Sequence, residues 1–125
     1  MSETLRLIRH RDRPSTTFPG GARYRPIIGD DTGEGIPVRT GIQTSPPGYR
    51  TQPHAHPYVE ILTVLEGTGE IWLDGDAQPT PLEPGVTVAI PAHRVHGFCA
   101  TGDGPLVTFG IHTSDRRIVD YQPNR

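Results

Sequence analysis

The sequence predicts an all-β domain, because short extended runs alternate with turn residues along its length. Fifteen glycines and 14 prolines among 125 residues leave little room for helices. Beyond Pro14, no stretch keeps a 3.6-residue apolar period without a proline or glycine cutting it. The extended runs recur every 8 to 12 residues, which is typical of a β-sandwich or β-barrel. The length fits one domain with its own hydrophobic core.

Composition excludes several classes of protein. The net charge is −2 and the twelve basic residues, all of them arginine, are dispersed. We therefore expect no nucleic-acid partner and no membrane partner. Residues Met1 to Arg9 carry charges and lack the apolar centre of a secretory signal, which favours a cytoplasmic protein. With one cysteine, Cys99, and no lysine, the chain can form neither an intrachain disulfide nor a Schiff base.

The predicted strands fall into an N-terminal extension (1–36), a barrel core (37–113) and a C-terminal tail (114–125). Tyr58–Leu65 is apolar on both faces, so we expect it to be central. The stretches Arg11–Pro19, 30–35 and Gln78–Pro84 are predicted to be connections. The predicted strands are, in order, Leu5–Arg9, Arg23–Ile28, Pro37–Ser45, Tyr49–His56, Tyr58–Leu65, Glu70–Leu73, Gly85–Ile90, His96–Ala100, Leu106–His112 and an edge strand over 118–121.

Three histidines and one glutamate stand at positions where strands can bring them together. His54 and His56 are two residues apart, so an extended chain directs both imidazoles to the same face. Glu60 begins the next strand, and His96 opens a later strand that could supply a fourth ligand. Such a set suits one divalent ion of Fe, Mn, Ni, Cu or Zn. Because it contains no thiolate, it favours a catalytic or ligand-binding site over a structural zinc site.

These residues lie in two stretches with defined spacing. The first, Gly48–Gly67, reads G-x5-H-x-H-x3-E-x6-G at every fixed position. The second, G-x5-P-x-G-x2-H-x3-N, is matched at Gly85, Pro91 and His96. It departs where His93 replaces glycine and Ala100 replaces asparagine. The two stretches resemble the signature motifs of the cupin superfamily.

The resemblance implies a single-domain jelly-roll β-barrel (a double-stranded β-helix) that holds one divalent metal ion. Two roles are open for Glu60: it is a metal ligand, or it stands off the metal as a general base. His112 alternates with Thr108 and Gly110, so if that face lines the barrel interior, it supports the ligands or acts as an acid–base group. The metal ligands that the resemblance implies are His54, His56, Glu60 and His96, and the candidate catalytic residues are Glu60 and His112.

Other side chains near the motifs have simpler interpretations. We expect His10 and His93 to be at the surface, and Trp72, Phe98 and Cys99 to be in the core or at an interface. The residues that flank the ligands are interpreted as solvated rim residues, with binding of an anionic substrate as the alternative; they are Tyr49, Arg50, Tyr58 and Arg94.

The resemblance favours an enzyme that acts on a small chelating organic acid, diketone or sugar-like substrate. Dioxygenase or related oxidoreductase chemistry comes first, and isomerase or lyase chemistry is the alternative. A non-catalytic module that binds or senses a small molecule is the other possibility, because the fold alone does not decide function. A homodimer that exchanges an N-terminal strand, Leu5–Ile8, is the expected assembly.

Overall fold

The structure is a computed structural model that describes residues 5–29 and 35–122. Within these ranges the chain forms eleven short strands and one 3-10 turn, His10–Asp12. None of the described residues forms a long apolar helix of the kind that crosses a bilayer. The predicted loop over 30–35 lies outside the described residues except for Gly35. The strands are β1 (Thr16–Thr17), β2 (Arg23–Ile28), β3 (Arg39–Ser45), β4 (His54–Ala55), β5 (Glu60–Glu66), β6 (Gly69–Leu73), β7 (Thr80–Leu82), β8 (Thr87–Ile90), β9 (His96–Ala100), β10 (Leu106–His112) and β11 (Asp120–Tyr121).

The strands form two antiparallel sheets, which confirms the predicted all-β jelly-roll barrel. One sheet has the order β1-β2-β3-β10-β5-β8 and the other has the order β11-β4-β9-β6-β7. Their apolar inner faces make one core, as the alternation of buried and exposed positions requires. The buried core residues are Leu62, Val64, Ile71, Leu82, Ile90, Phe98, Ala100 and Leu106.

The strand β5 was expected to be central, but it lies next to the edge of the larger sheet, between β10 and the edge strand β8. Leu62 and Val64 point into the core with only 4% and 2% of their surface exposed, whereas Leu65 on the other face is 48% exposed. In the register with β10, Glu60 pairs with His112. The glutamate and the last residue of β10 therefore meet at the end of the sheet, beyond the apolar core.

The prediction of a strand over Leu5–Arg9 is wrong for the single chain. These residues are irregular and lead into the 3-10 turn, and Leu5 and Leu7 are 96% and 70% exposed. No described strand pairs with them, so their backbone has no ladder partner within the chain. A short strand, β1, lies instead in the stretch predicted as a connection. It pairs with β2, so the predicted N-terminal extension contributes two strands to the larger sheet.

Two further strands differ from prediction. β7 lies within the predicted connector Gln78–Pro84 and pairs with the edge of β6. Its central residue, Pro81, is tolerated because an edge strand has a free side that needs no N–H. The predicted strand Tyr49–His56 is reduced to β4 and a single bridge between Arg50 and Cys99.

Candidate metal centre

His54 and His96 meet because their strands are neighbours. β4 pairs with β9 with His54 directly opposite His96, and the two ring centroids lie 4.4 Å apart. His56 follows two residues after His54, and its ring centroid is 5.0 Å from that of His54. The three imidazoles therefore form one group.

Glu60 reaches this group from the opposite sheet, as the first residue of β5. Its Oε1 lies 3.1 Å from His56 Nε2 and 3.6 Å from His96 Nε2. Its other oxygen, Oε2, lies 3.7 Å from His112 Nε2. The Glu60 side chain is only 12% exposed, so both oxygens point into a protein-lined space rather than into bulk water.

The structure brings all four predicted ligands together. One ligand atom from each of His54, His56, Glu60 and His96 lies within 4.8 Å of the others. His56 and His96 are buried, whereas His54 is partly exposed. We call these four residues the His–Glu cluster. Its donor set is one that first-row divalent metals accept.

Each imidazole of the His–Glu cluster is held by a backbone carbonyl. The Nδ1 atoms of His54, His56 and His96 lie 2.8, 2.7 and 3.0 Å from the carbonyl oxygens of residues 52, 118 and 94. Because a carbonyl oxygen only accepts, each Nδ1 carries the hydrogen in a neutral ring. Each Nε2 then has its lone pair free to face the interior, which is the usual arrangement of histidines that bind metals.

The charges in the cluster call for a cation. Lone pairs of imidazole nitrogens face a carboxylate, and this repulsion is relieved when a positive ion lies between them. Burial, reinforced by His96, lowers the pKa of His54 to about 4. At neutral pH His54 thus offers an unprotonated imidazole to such an ion.

The ring of His112 is turned the other way, with Nε2 towards Glu60 and Nδ1 towards Tyr58. Its Nδ1 lies 2.6 Å from the Tyr58 hydroxyl and 3.5 Å from Nη1 of Arg39. Burial lowers the pKa of His112 to about 4, so the ring is neutral at neutral pH. An arginine only donates, so Nδ1 acts as the acceptor and the ring hydrogen lies on Nε2, towards Glu60. His112 therefore adds a hydrogen-bond donor beside the cluster rather than a fifth ligand.

A cavity of about 680 Å³ opens above the His–Glu cluster. Its wall includes Arg39, Arg117, Tyr49 and Tyr121. Arg39 is buried and its guanidinium lies 5.4 Å from the ring centroid of Tyr24. This volume is sufficient for a small organic molecule, and the three arginines of the wall, which include Arg50, favour a negatively charged one.

Two of the predicted rim residues line the cavity and two do not. Tyr49 and Arg50 line it, and Arg50 also lies 4.3 Å over the Trp72 ring. Tyr58 is buried against His112, and Arg94 donates to the carbonyl of Asp74 outside the cavity.

Sequence reasoning missed Arg39, Arg117 and Tyr121. Arg39 was detectable in principle, because β3 alternates and places Arg39 and Gln43 on the face that lines the cavity. Tyr121 pairs with His54 across β11 and β4, a long-range contact without a local signal.

The two departures from the second motif fall at different kinds of position. His93 lies in the turn between β8 and β9 with φ of 67°, the left-handed conformation that glycine adopts most easily. Its N–H donates to the carbonyl of His56 at 2.7 Å. Ala100 is buried in the core. His93 and His10 are both exposed, as predicted, and neither belongs to the His–Glu cluster.

A barrel of two antiparallel sheets with three histidines and a glutamate at one end defines a cupin. The cupin domain model matches residues 41–112, and the chain therefore belongs to this family. The match contains both motif stretches completely and confirms the resemblance seen in the sequence.

Among curated proteins, the chain is 28% identical over 103 residues to the dimethylsulfoniopropionate lyase DddW of Ruegeria pomeroyi, covering 82% of this chain and 66% of that protein. It is 31% identical over 107 residues to a 5-nitrosalicylic acid 1,2-dioxygenase of a Bradyrhizobium species, covering 79% of this chain and 50% of that protein. The chain thus spans just under two thirds of one relative and half of the other.

Solved structures show the same fold. A cupin 2 domain-containing protein of Halorhodospira halophila superimposes with a TM-score of 0.74 at 30% identity, covering 86% of this chain and 74% of that one. The polyketide cyclase RemF of Streptomyces resistomycificus gives a TM-score of 0.80 at 20% identity, covering 98% and 88%. The latter likeness concerns the fold alone.

Proposed function

We propose that this cupin is a mononuclear metal enzyme that acts on a small chelating organic acid. The observation that carries the proposal is the His–Glu cluster, in which three carbonyl-held imidazoles and one carboxylate converge within 4.8 Å. Its place at the base of a cavity leaves room for a substrate beside the ion. A bound divalent ion would polarise a chelating substrate as a Lewis acid, and iron(II) would also activate dioxygen.

The chain's own residues would bind and orient the substrate. Arg39 and Arg117 line the same cavity as the His–Glu cluster, so a substrate carboxylate bound there would meet cationic side chains. His112 Nε2, which lies beside Glu60, would donate a hydrogen bond to an oxygen atom of the substrate. The Tyr49 and Tyr121 rings supply apolar surface for the carbon skeleton.

A dioxygenase is the first candidate reaction. It is supported by the similarity to the 5-nitrosalicylic acid 1,2-dioxygenase, whose printed substrate is an aromatic acid. A lyase is the second candidate, supported by the similarity to the dimethylsulfoniopropionate lyase. The hydrogen-bonded pair of Tyr58 and His112 also favours it, because a lyase needs groups that move a proton.

Metal content tests the site. We expect about one divalent ion per chain in the purified wild type, and loss of most of it in His56→Ala and His96→Ala. His10→Ala, in an exposed histidine outside the His–Glu cluster, is the matched control and keeps the metal. Circular dichroism checks that the variants stay folded. Equal metal in all four proteins would contradict the proposed site.

Substrate assays then separate the candidate functions. The loaded protein is incubated with aromatic hydroxy acids, diketones, enediols and sulfonium-bearing acids, with and without oxygen. Oxygen consumption that matches product formation supports the dioxygenase, and product without oxygen supports a lyase or isomerase. Saturable binding without any product in either condition would instead indicate a module that binds or senses a small acid.

A further inference from the structure

The segment after β10 returns across the end of the barrel that holds the His–Glu cluster. Thr113 attaches its start, because its N–H and hydroxyl both donate to the carbonyl of Val59 at 3.1 and 2.7 Å. Gln122 attaches its end: its N–H donates to the carbonyl of Pro53 at 2.8 Å, and its carbonyl accepts from Gln52 at 2.9 Å. We call residues 113–122 the C-terminal segment.

Ile118 lies in the middle of this segment and uses both of its backbone polar groups on the site. Its carbonyl accepts from His56 Nδ1 at 2.7 Å. Its N–H donates to the Tyr58 hydroxyl at 3.4 Å. The side chain of Ile118 is 46% exposed, so its contact with the site is made by the main chain rather than by packing.

These two hydrogen bonds act on two histidines, on His56 directly and on His112 through Tyr58. The carbonyl places the His56 hydrogen on Nδ1 and frees Nε2 as a lone pair. The N–H donates to the Tyr58 oxygen and helps to hold the hydroxyl beside His112 Nδ1, at 2.6 Å. Nη1 of Arg39, which can only donate, lies 3.5 Å from the same nitrogen. That nitrogen must then accept, and the His112 hydrogen lies on Nε2.

We infer that Ile118 is a positioning residue, whose carbonyl makes His56 a metal ligand and whose N–H holds the Tyr58 hydroxyl in place beside His112. The inference rests on the proposed function for its metal, and it adds the C-terminal segment to the site. The peptide groups of Ile118 can have these effects only if the backbone at this residue is itself held in place. The bonds of Thr113 and Gln122 at the two ends of the segment, together with the pairing of β11 with β4, supply that restraint.

A proline substitution tests the inference in the full chain. Ile118→Pro removes the N–H that Tyr58 accepts and displaces the neighbouring carbonyl. We expect a 10- to 100-fold loss of zinc affinity, roughly the effect of removing the outer support of a metal ligand. The matched control is Asp115→Pro, at an exposed position of the same segment whose N–H makes no hydrogen bond among the described residues. We expect it to change zinc affinity by about twofold or less.

Ring-nitrogen NMR of the zinc-loaded wild type provides a readout that a merely structural role would not move. We expect the hydrogen on Nδ1 in His56 and on Nε2 in His112. Tyr58→Phe breaks the link from Ile118 to His112, so we expect the His112 Nδ1 signal to move because it loses its donor at 2.6 Å, while the signals of His56 stay unchanged. This second variant keeps the test open if Ile118→Pro fails to fold.

The outcomes are distinct. Equal zinc affinity in the wild type and Ile118→Pro, or equal loss in both proline variants, overturns the inference. So does either histidine in the reverse tautomer in the wild type, or an unchanged His112 in Tyr58→Phe. Absence of zinc binding to the wild type contradicts the proposed function instead.

Discussion

Glu60 is the residue on which the two interpretations of the site diverge. Its Oε1 lies 3.1 Å from His56 Nε2 and 3.6 Å from His96 Nε2, the nitrogens that face the interior. This convergence favours a metal ligand over a general base that stands off the metal. We therefore predict that Glu60→Gln weakens metal affinity by roughly 10- to 100-fold, measured by metal titration.

Glu66→Gln is the matched control for this substitution, because Glu66 lies at the exposed end of the same strand. It should bind metal like the wild type. If Glu60→Gln kept the metal and lost turnover, the carboxylate would be the general base. If it kept both, Glu60 would be a structural residue only.

His54 and His112 make the stability of the metal-free protein depend on pH. Burial lowers both of their pKa values from 6.5 to about 4. Between these values the unfolded chain binds more protons than the folded one, so stability is present above pH 6.5 and is lost as the pH falls towards 4. From pH 7 to pH 5 we expect a loss on the order of 1 to 2 kcal/mol per histidine in the free energy of unfolding.

Urea unfolding at several pH values measures this loss. His112→Gln removes one of the two titrating rings and should reduce the pH dependence in this window. A free energy of unfolding that stayed constant or rose between pH 7 and pH 5 would contradict the assignment of buried, neutral imidazoles.

The members of the His–Glu cluster could be predicted because their spacing is local. Two histidines two apart share a face of an extended chain, and Glu60 opens the strand that follows. The directions of the His56 and His112 rings could not be predicted. They depend on the carbonyl of Ile118 and the hydroxyl of Tyr58, which reach these histidines through contacts 62 and 54 residues apart in sequence.

The turn between β8 and β9 carries a strain that the family motif avoids. His93 adopts φ of 67° at the position where the motif has glycine, and a left-handed conformation costs an L-residue about 1 to 2 kcal/mol. We predict that His93→Gly raises the free energy of unfolding by about 0.5 to 1 kcal/mol, because the added entropy of an unfolded glycine offsets part of the gain. Thermal and urea unfolding measure it.

His93→Ala is the control, because alanine keeps the conformational cost and loses only an exposed side chain. It should not stabilise the protein. If alanine and glycine had the same effect, the imidazole rather than the backbone conformation would be responsible.

Strands with strong apolar alternation were predictable to within one or two residues. β9 and β10 have the predicted bounds, and β5 is shifted by two residues at its start. The errors occur where pairing with a neighbouring strand, rather than the pattern of apolar residues, determines whether a strand forms. β7 contains Thr80 and Pro81 and lacks an apolar alternation, yet it forms because it pairs with the free side of β6. Leu5–Arg9 has a strand-like pattern but finds no partner within the chain.

The N-terminal segment, residues 5–9, leaves apolar surface outside the barrel. Leu5 and Leu7 are the most exposed of the large apolar side chains in the described residues. A single chain gives them no partner, whereas a second copy could pair with their backbone and cover both leucines. We therefore predict a homodimer in which this segment lies against the neighbouring barrel.

Light scattering at tens of micromolar, a concentration chosen on the scale of ordinary dimer affinities, measures the assembly in solution. Burying one leucine contributes roughly 1.5 to 3 kcal/mol, which corresponds to at least about a tenfold change in the dissociation constant. The double variant Leu5→Ser and Leu7→Ser should therefore dissociate at concentrations where the wild type is dimeric. The matched control makes the same number of serine substitutions at Arg9 and Arg11 in the same exposed stretch, and it should remain dimeric because it removes little apolar surface.

A monomeric wild type would contradict the prediction outright. A dimer that survived the leucine variant would place the interface elsewhere on the barrel and leave the N-terminal segment without a role in assembly.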